Sequence, residues 1–351
     1  MRRGTASMVK FGVMVKPAPY KQMVEHTALA ERLGLDSVWV PDHIVLENYK
    51  RICPDAWCIL SALATCTDRV TLGTSVTDPY RRHPVVLAQT VATLDHISGG
   101  RAILGLGAGD AMNVDPFGIP RDRRITRMRE TVEILRRLWT GEVIEYNGKI
   151  FKLSKAFIQV LPLQKPRIPL YLAANSLKTR RLVGTHGDGW LAEMMSPERY
   201  EADIREVDYA ARKTGRSMND IDVVCVVTTA ISEDYDEARE TALFYAKRRF
   251  LWWPKQLQLY GYKVTDEFDW NYLTVDKDTA KRIREHISEV PDKPCEEVTI
   301  FGKPEDCIEK IDKYLKSGVT HFEFEAVSPY EKTCEMLGKK IIPYFKENRE
   351  C

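Results

Sequence analysis

The chain has 351 residues, 44% of them hydrophobic, with 52 Lys plus Arg against 50 Asp plus Glu. That apolar share excludes a disordered polymer, the charge balance argues against a nucleic-acid partner, and the length accommodates one large α/β domain or two ordinary ones. The eight cysteines include no C-x-x-C pair and are too sparse for a disulfide scaffold, so a reducing cytoplasm is expected.

At the start of the chain the apolar run Phe11 to Val15 is too short for a signal-peptide core, and no run of about 18 apolar residues occurs further on. Neither export nor a membrane span is expected. Eight short β-rich runs then recur: Val9 to Val15, Asp36 to Pro41, Val70 to Val76, Ala102 to Gly107, Pro169 to Ala174, Gly189 to Met194, Asp222 to Ile231 and Thr320 to Val327. Each is apolar at nearly every position, as strands buried on both faces are. Segments of helical spacing separate them. After Pro84, Leu87, Val91 and Leu94 share one helical face that ends at Gly99-Gly100; after Pro304, Ile308, Ile311 and Leu315 form a stripe that stops at Gly318. Eight alternations predict a TIM (β/α)8 barrel with insertions, in the α/β class.

Two stretches exceed a plain barrel. Glu142 to Leu153 reads as a hairpin whose Asn147-Gly148 dipeptide favours a tight primed turn. The segment at about 245–294 concentrates Phe250, Trp252, Trp253, Tyr260, Tyr262, Trp270 and Tyr272, which suits a packing layer or dimer surface as well as a lid over a flat substrate. The run Lys247-Arg248-Arg249 reads as a solvated helix face, and His26 and His286, amid charges on predicted helices, as solvent-facing.

Functional residues of such a barrel project from the C-terminal ends of its strands. The second strand ends in Pro41-Asp42-His43, an acid beside an imidazole that titrates near neutrality; capping of a loop would explain the pair equally well. The third ends in Ser75-Val76-Thr77-Asp78, small enough to let a flat ring approach the backbone. The fourth ends in Gly105-Leu106-Gly107-Ala108-Gly109-Asp110, then Ala111-Met112-Asn113; Asp110 stands where a dinucleotide fingerprint needs its third glycine, so a Rossmann site is rejected. The fifth runs through Ala173-Ala174 into Asn175-Ser176, where a helix start suits a phosphate, or where either side chain simply caps the helix. Asp42, His43 and His83 lack a compact metal-ligand spacing and no H-E-x-x-H occurs, so no metal is expected.

Taken together, Phe11-Gly12-Val13, Asp42-His43, Thr77-Asp78-Pro79-Tyr80, Ala92 to Ala102, Gly105 to Asp110, His186-Gly187-Asp188-Gly189-Trp190, Phe301 to Asp306 and Leu337 to Pro343 resemble the luciferase-like family of flavin and deazaflavin barrel oxidoreductases. The methylenetetrahydromethanopterin reductase branch, which uses coenzyme F420, is the nearest in pattern. The resemblance spans nearly the whole chain and implies one luciferase-like barrel domain over 1–351, a small-molecule substrate, and a homodimer or larger homo-oligomer. It implies that Ser75-Val76 is a non-proline cis peptide bulging toward the deazaflavin ring, with Thr77 beside it; that Asp42 meets the polar edge of the ring; that Asn113 orients it; and that Ala173, Ala174, Asn175 and Ser176 meet the phosphate-bearing tail. It assigns proton transfer to His43 and an acid near the site to Asp110. Departures stand beside the matches: Met14 replaces an acid on the first strand of the pterin reductases, Glu47 a tryptophan of the sugar-phosphate and alcohol branches, and Ser196 a sugar-phosphate lysine. The competing expectations on the same barrel are an FMN-dependent monooxygenase and a non-catalytic barrel that stores or senses its cofactor.

Overall fold

All eight runs form parallel strands in the computed structural model, which describes residues 9–46, 51–263, 277–327 and 329–347. Eleven strands are present among these residues: β1 Lys10–Met14, β2 Ser37–Val40, β3 Thr71–Thr74, β4 Ala102–Leu106, β5 Ile144–Asn147, β6 Lys152–Ala156, β7 Leu170–Ala173, β8 Gly189–Glu193, β9 Asp222–Ile231, β10 Ile300–Gly302 and β11 His321–Ala326. The order β9-β11-β1-β2-β3-β4-β7-β8 closes on itself through β8–β9 pairing, giving a parallel (β/α)8 barrel. β9 is ten residues long, and its far end, Thr229 to Ile231, pairs with β10 outside the ring.

The strands read as continuous apolar runs because both faces are covered. Outward residues such as Phe11, Phe322 and Phe324 stack on one another and pack against Phe345 of the C-terminal helix. Inward residues Met14, Trp39, Ile103, Tyr171, Leu191, Val224 and Val226 fill the barrel. The same alternation turns His321, Glu323 and Glu325 of β11 inward, and all three are buried.

The helix Pro84–Ile97 starts at its proline and is closed by Gly99 and Gly100, both at positive φ; the helix Pro304–Lys316 ends before Gly318 at φ +100. His26 corrects an expectation. It is buried, stacked on Tyr330 with centroids 4.0 Å apart, its Nε2 3.0 Å from Glu331, because the C-terminal helices cover this face of the helix Tyr20–Arg32. His286 is partly exposed as expected.

The hairpin is present, but its turn differs from the two-residue form. Asn147 pairs with Lys152, leaving a four-residue connection, and neither Asn147 nor Gly148 has a positive φ. The geometry is imposed by buried Glu130, whose carboxylate accepts the N–H groups of Lys149 at 2.8 Å, Ile150 at 3.0 Å and Phe151 at 3.1 Å. A Cβ on Gly148 would fall 2.3 Å from Glu130 Oε2, so glycine serves close approach here, not backbone handedness. Glu130→Gln removes the charge from this three-donor acceptor and is expected to destabilise the fold by about 1–3 kcal/mol. A lower thermal midpoint, with the deazaflavin affinity proposed below retained, checks it.

Among the described residues no helix is long and apolar enough to cross a membrane.

Candidate active site at the barrel mouth

A cavity of about 630 Å³ opens at the C-terminal ends of the strands, within the range of small-molecule sites. Its first wall comes from β2, β3, β4 and β7. β3 hands its hydrogen bonding from β2 to β4 at the mouth: Ser75 N donates to Val40 O at 3.0 Å, then Thr77 N to Gly105 O at 2.9 Å and Gly107 N to Thr77 O at 2.7 Å. Between them Val76 bulges into the cavity, and the Ser75–Val76 peptide is cis, as the resemblance implies. Gly107 makes room for the bulge, since a Cβ there would lie 2.5 Å from Val76 Cγ2.

Asp42 sits at the edge of this bulge, buried, and accepts a 2.6 Å hydrogen bond from Thr77 Oγ1. Its counter-charge is Arg81, whose guanidinium reaches the Asp42 carboxylate at 3.3 Å, the Asp42 carbonyl oxygen and the Asp78 carboxylate. Asp78 in turn accepts the N–H groups of Tyr80 at 2.8 Å and Arg81 at 3.0 Å. Sequence reasoning passed over Arg81, although its spacing from Thr77-Asp78-Pro79 was visible.

His43 is half-buried beside Asp42 and lines the cavity with Asp110. Burial holds its imidazole below the ordinary histidine pKa, against the pull of Asp110. Asn113, in the short 3-10 turn Ala111–Asn113, ties this loop down. Its Oδ1 accepts from Ile44 N at 2.6 Å and Val45 N at 3.0 Å, and its Nδ2 lies 3.0 Å from His43 Nδ1. Cys53 donates to the His43 carbonyl at 3.2 Å, and burial, then Asp42, pushes its thiol up to about 11, so it is no nucleophile.

Past β7 the expected residues divide. Ala173 and Asn175 line the cavity. Ala174 is in the core with its N–H given to Leu191 O, and Ser176 caps the helix Leu177–His186, its N–H and hydroxyl both engaged with Thr179. The capping reading of Ser176 is thus realised. Ser196 likewise caps a helix, accepting from Arg199 N, while its own N–H donates to Tyr260 Oη at 3.0 Å.

The second wall was not legible in the sequence. Glu193 closes β8, Glu325 is the last residue but one of β11, Lys16 follows β1, and the helix Tyr235–Trp252 lowers Arg249 between them. Arg249 meets Glu193 at 2.7 Å and Glu325 at 2.8 Å, and Lys16 lies 3.8 Å from Glu325. Burial raises the Glu325 pKa, but Arg249 and Lys16 outweigh it and hold the carboxyl below its usual value. The basic run therefore faces the site and not solvent at Arg248 and Arg249, because the helix crosses the mouth. The aromatic segment splits between roles. Phe250 is fully buried in a satellite core with Leu257 and Cys295, whereas Tyr245, Trp252 and Trp253 line the cavity. Trp270 and Tyr272, like Glu47, lie outside the described residues. No cluster of metal-ligating side chains occurs among the described residues.

Val76, Ala173, Leu191, Met14 and Val226 thus form an apolar bed with polar groups at its rim. That is what a flat redox ring needs beneath it, and Arg51, Arg121 and Arg124 at the cavity suit an anionic tail.

A family model described as luciferase-like monooxygenase matches residues 1–321. The chain is 31% identical to the 5,10-methylenetetrahydromethanopterin reductase of Archaeoglobus fulgidus, over 96% of this chain and all of that one. It is 29% identical to an F420-dependent glucose-6-phosphate dehydrogenase of Microbacterium testaceum, over 93% and 94%. The solved coenzyme F420-dependent tetrahydromethanopterin reductase of Methanopyrus kandleri superposes with a TM-score of 0.84 at 27% identity, over 96% of this chain and 99% of that one. Barrel, mouth and sequence agree: the chain belongs to the luciferase-like monooxygenase family.

Proposed function

We propose that this chain is a coenzyme F420-dependent oxidoreductase that moves hydride between the deazaflavin and a small organic substrate, in the manner of 5,10-methylenetetrahydromethanopterin reductase. The observation that carries the reading is the cavity's division into an apolar bed with a buried polar edge on one side and a charged wall on the other. Two relatives named for F420, the glucose-6-phosphate dehydrogenase at 29% identity and the solved tetrahydromethanopterin reductase at 27%, support it. When bound, the deazaflavin supplies hydride chemistry at a ring carbon. In this reading Ser75, Val76 and Thr77 support the face of the ring, Asp42 fixes its polar edge while Asn113 orients it indirectly by holding the His43 loop, and Ala173 and Asn175 contact the tail, with Ala174 and Ser176 holding that loop in place. His43 acts on the substrate's polar atom and Asp110 biases its charge.

Met14, which stands where the pterin reductases have an acid, lines the cavity one residue past the Val13–Phe324 pair of β1 and β11. Glu325, across that pair, supplies a carboxylate on the adjacent strand. The reading extends to one barrel domain with the insertion at about 245–294, a cytoplasmic site suited to the seven thiols that are free among the described residues, and a homodimer or larger assembly readable by sedimentation equilibrium.

Two assays test the function. In anaerobic titration deazaflavin fluorescence should be quenched on binding, and in air the protein should not speed the oxidation of reduced FMN above its rate in buffer. Protein-dependent oxygen uptake with reduced FMN and no deazaflavin binding would replace this reading by the monooxygenase.

A further inference from the structure

His43 Nδ1 has two neighbours with opposite demands. The Val45 carbonyl, 3.2 Å away, can only accept, and the Asn113 Nδ2 amide, 3.0 Å away, can only donate. The orientation of Asn113 is fixed by its other end: Oδ1 takes the N–H groups of Ile44 and Val45, so turning the amide over would set its NH2 against both donors. Asn113 is 2% exposed, and among the described residues its Nδ2 has His43 Nδ1 as its partner. A proton on Nδ1 would face that N–H and leave a buried amide without an acceptor.

We propose that Asn113 is a positioning residue that fixes His43 as the neutral imidazole with its proton on Nε2, making His43 a hydrogen-bond donor to the substrate's polar atom and not a base. The inference rests on the reading above only for the presence of a substrate. A neutral donor serves an atom that gains negative charge as hydride reaches the neighbouring carbon: the C=O or C=N π pair moves onto oxygen or nitrogen, Nε2–H meets that charge, and water supplies the proton that neutralises it. The groups facing His43 that bear on its titration are Asp42 and Cys53 near its own loop, Arg81 after β3 and Asp110 after β4.

The test is 15N NMR of histidine-labelled protein without cofactor, so it is independent of whether the deazaflavin binds. In the wild type His43 should appear as the Nε2–H tautomer across neutral pH. Asn113→Asp keeps an acceptor for the Ile44 and Val45 N–H groups but presents a carboxylate to Nδ1. It should switch the ring to the Nδ1–H tautomer and raise the His43 pKa by at least one unit. An Nδ1–H tautomer in the wild type overturns the proposal, and so does an Asn113→Asp variant that folds with tautomer and titration unchanged. His43→Gln identifies the resonance.

Discussion

Arg81→Met is expected to destabilise the folded chain by about 3–5 kcal/mol, because it leaves Asp42 and Asp78 as buried carboxylates without a counter-charge. The same change should abolish measurable deazaflavin binding, since the Asp42 edge and the loop after β3 are held in place through this one guanidinium. Its contacts are distributed: Nε serves Asp78, while the two terminal nitrogens serve the Asp42 carboxylate and carbonyl. A lysine has one ammonium and cannot span them, so Arg81→Lys should recover little. Urea denaturation gives the stability and fluorescence titration the binding. A lysine variant with wild-type values of both would show that charge alone suffices there and that the forked geometry is incidental.

The second large effect concerns pH. Two buried groups on β11 respond in opposite directions. Burial pushes the Glu323 carboxyl, neither oxygen of which has a hydrogen-bond partner among the described residues, up to about 8, while burial pulls the His321 imidazole, whose Nε2 is 2.8 Å from Ser37 Oγ, down to about 3. Between their ordinary and folded values the unfolded chain has lost the Glu323 proton that the folded chain keeps, so stability falls as pH rises from 4.5 to about 8. His321 reverses the sign: from 6.5 down to about 3 the unfolded chain holds a proton the folded chain lacks, and stability falls as pH falls. Their contributions cancel between 4.5 and 6.5, which is where the maximum is expected. Glu323→Gln keeps the shape, removes the alkaline limb, and should raise stability at pH 8.5 by on the order of 2–5 kcal/mol while leaving pH 4.5 nearly unchanged. Thermal melts across pH check it. Parallel profiles for the variant and the wild type would mean that Glu323 ionises freely in the fold.

β11 also shows where sequence reading stops. His321-Phe322-Glu323-Phe324-Glu325 alternates as a strand should, and its existence was legible. Alternation in an isolated sheet would send the charges to water. A closed barrel has no wet face, so the phenylalanines go outward against helices and the charges go inward, which only closure determines. Arg249 was misread for a related reason: a basic run on a helix is polar in either setting, and only the path of the helix across the mouth tells a solvated face from a site wall. The turn of the hairpin was misread because a remote carboxylate, Glu130, overrides local turn preference. By contrast the eight strands and the Asp42-His43 rim were available from short-range pattern, whereas the Val76 bulge, whose room comes from Gly107 after β4, was available from the resemblance alone.

The overhang of β9 has a consequence for how this mouth can change. Its last residues pair with β10 outside the ring and lead into the helix that carries Tyr245, Arg249 and Trp252 to the cavity, whereas the first wall is built from β2, β3, β4 and β7. Within the stretch of chain that leaves at the end of β9 and returns at β10, Tyr245, Arg248, Arg249, Trp252, Trp253 and Lys255 line the cavity, and none of them belongs to the Asp42–Thr77–Arg81 edge. In the proposed reading selectivity is therefore portable: transplanting that stretch from a relative should retune which compounds react while the deazaflavin still binds.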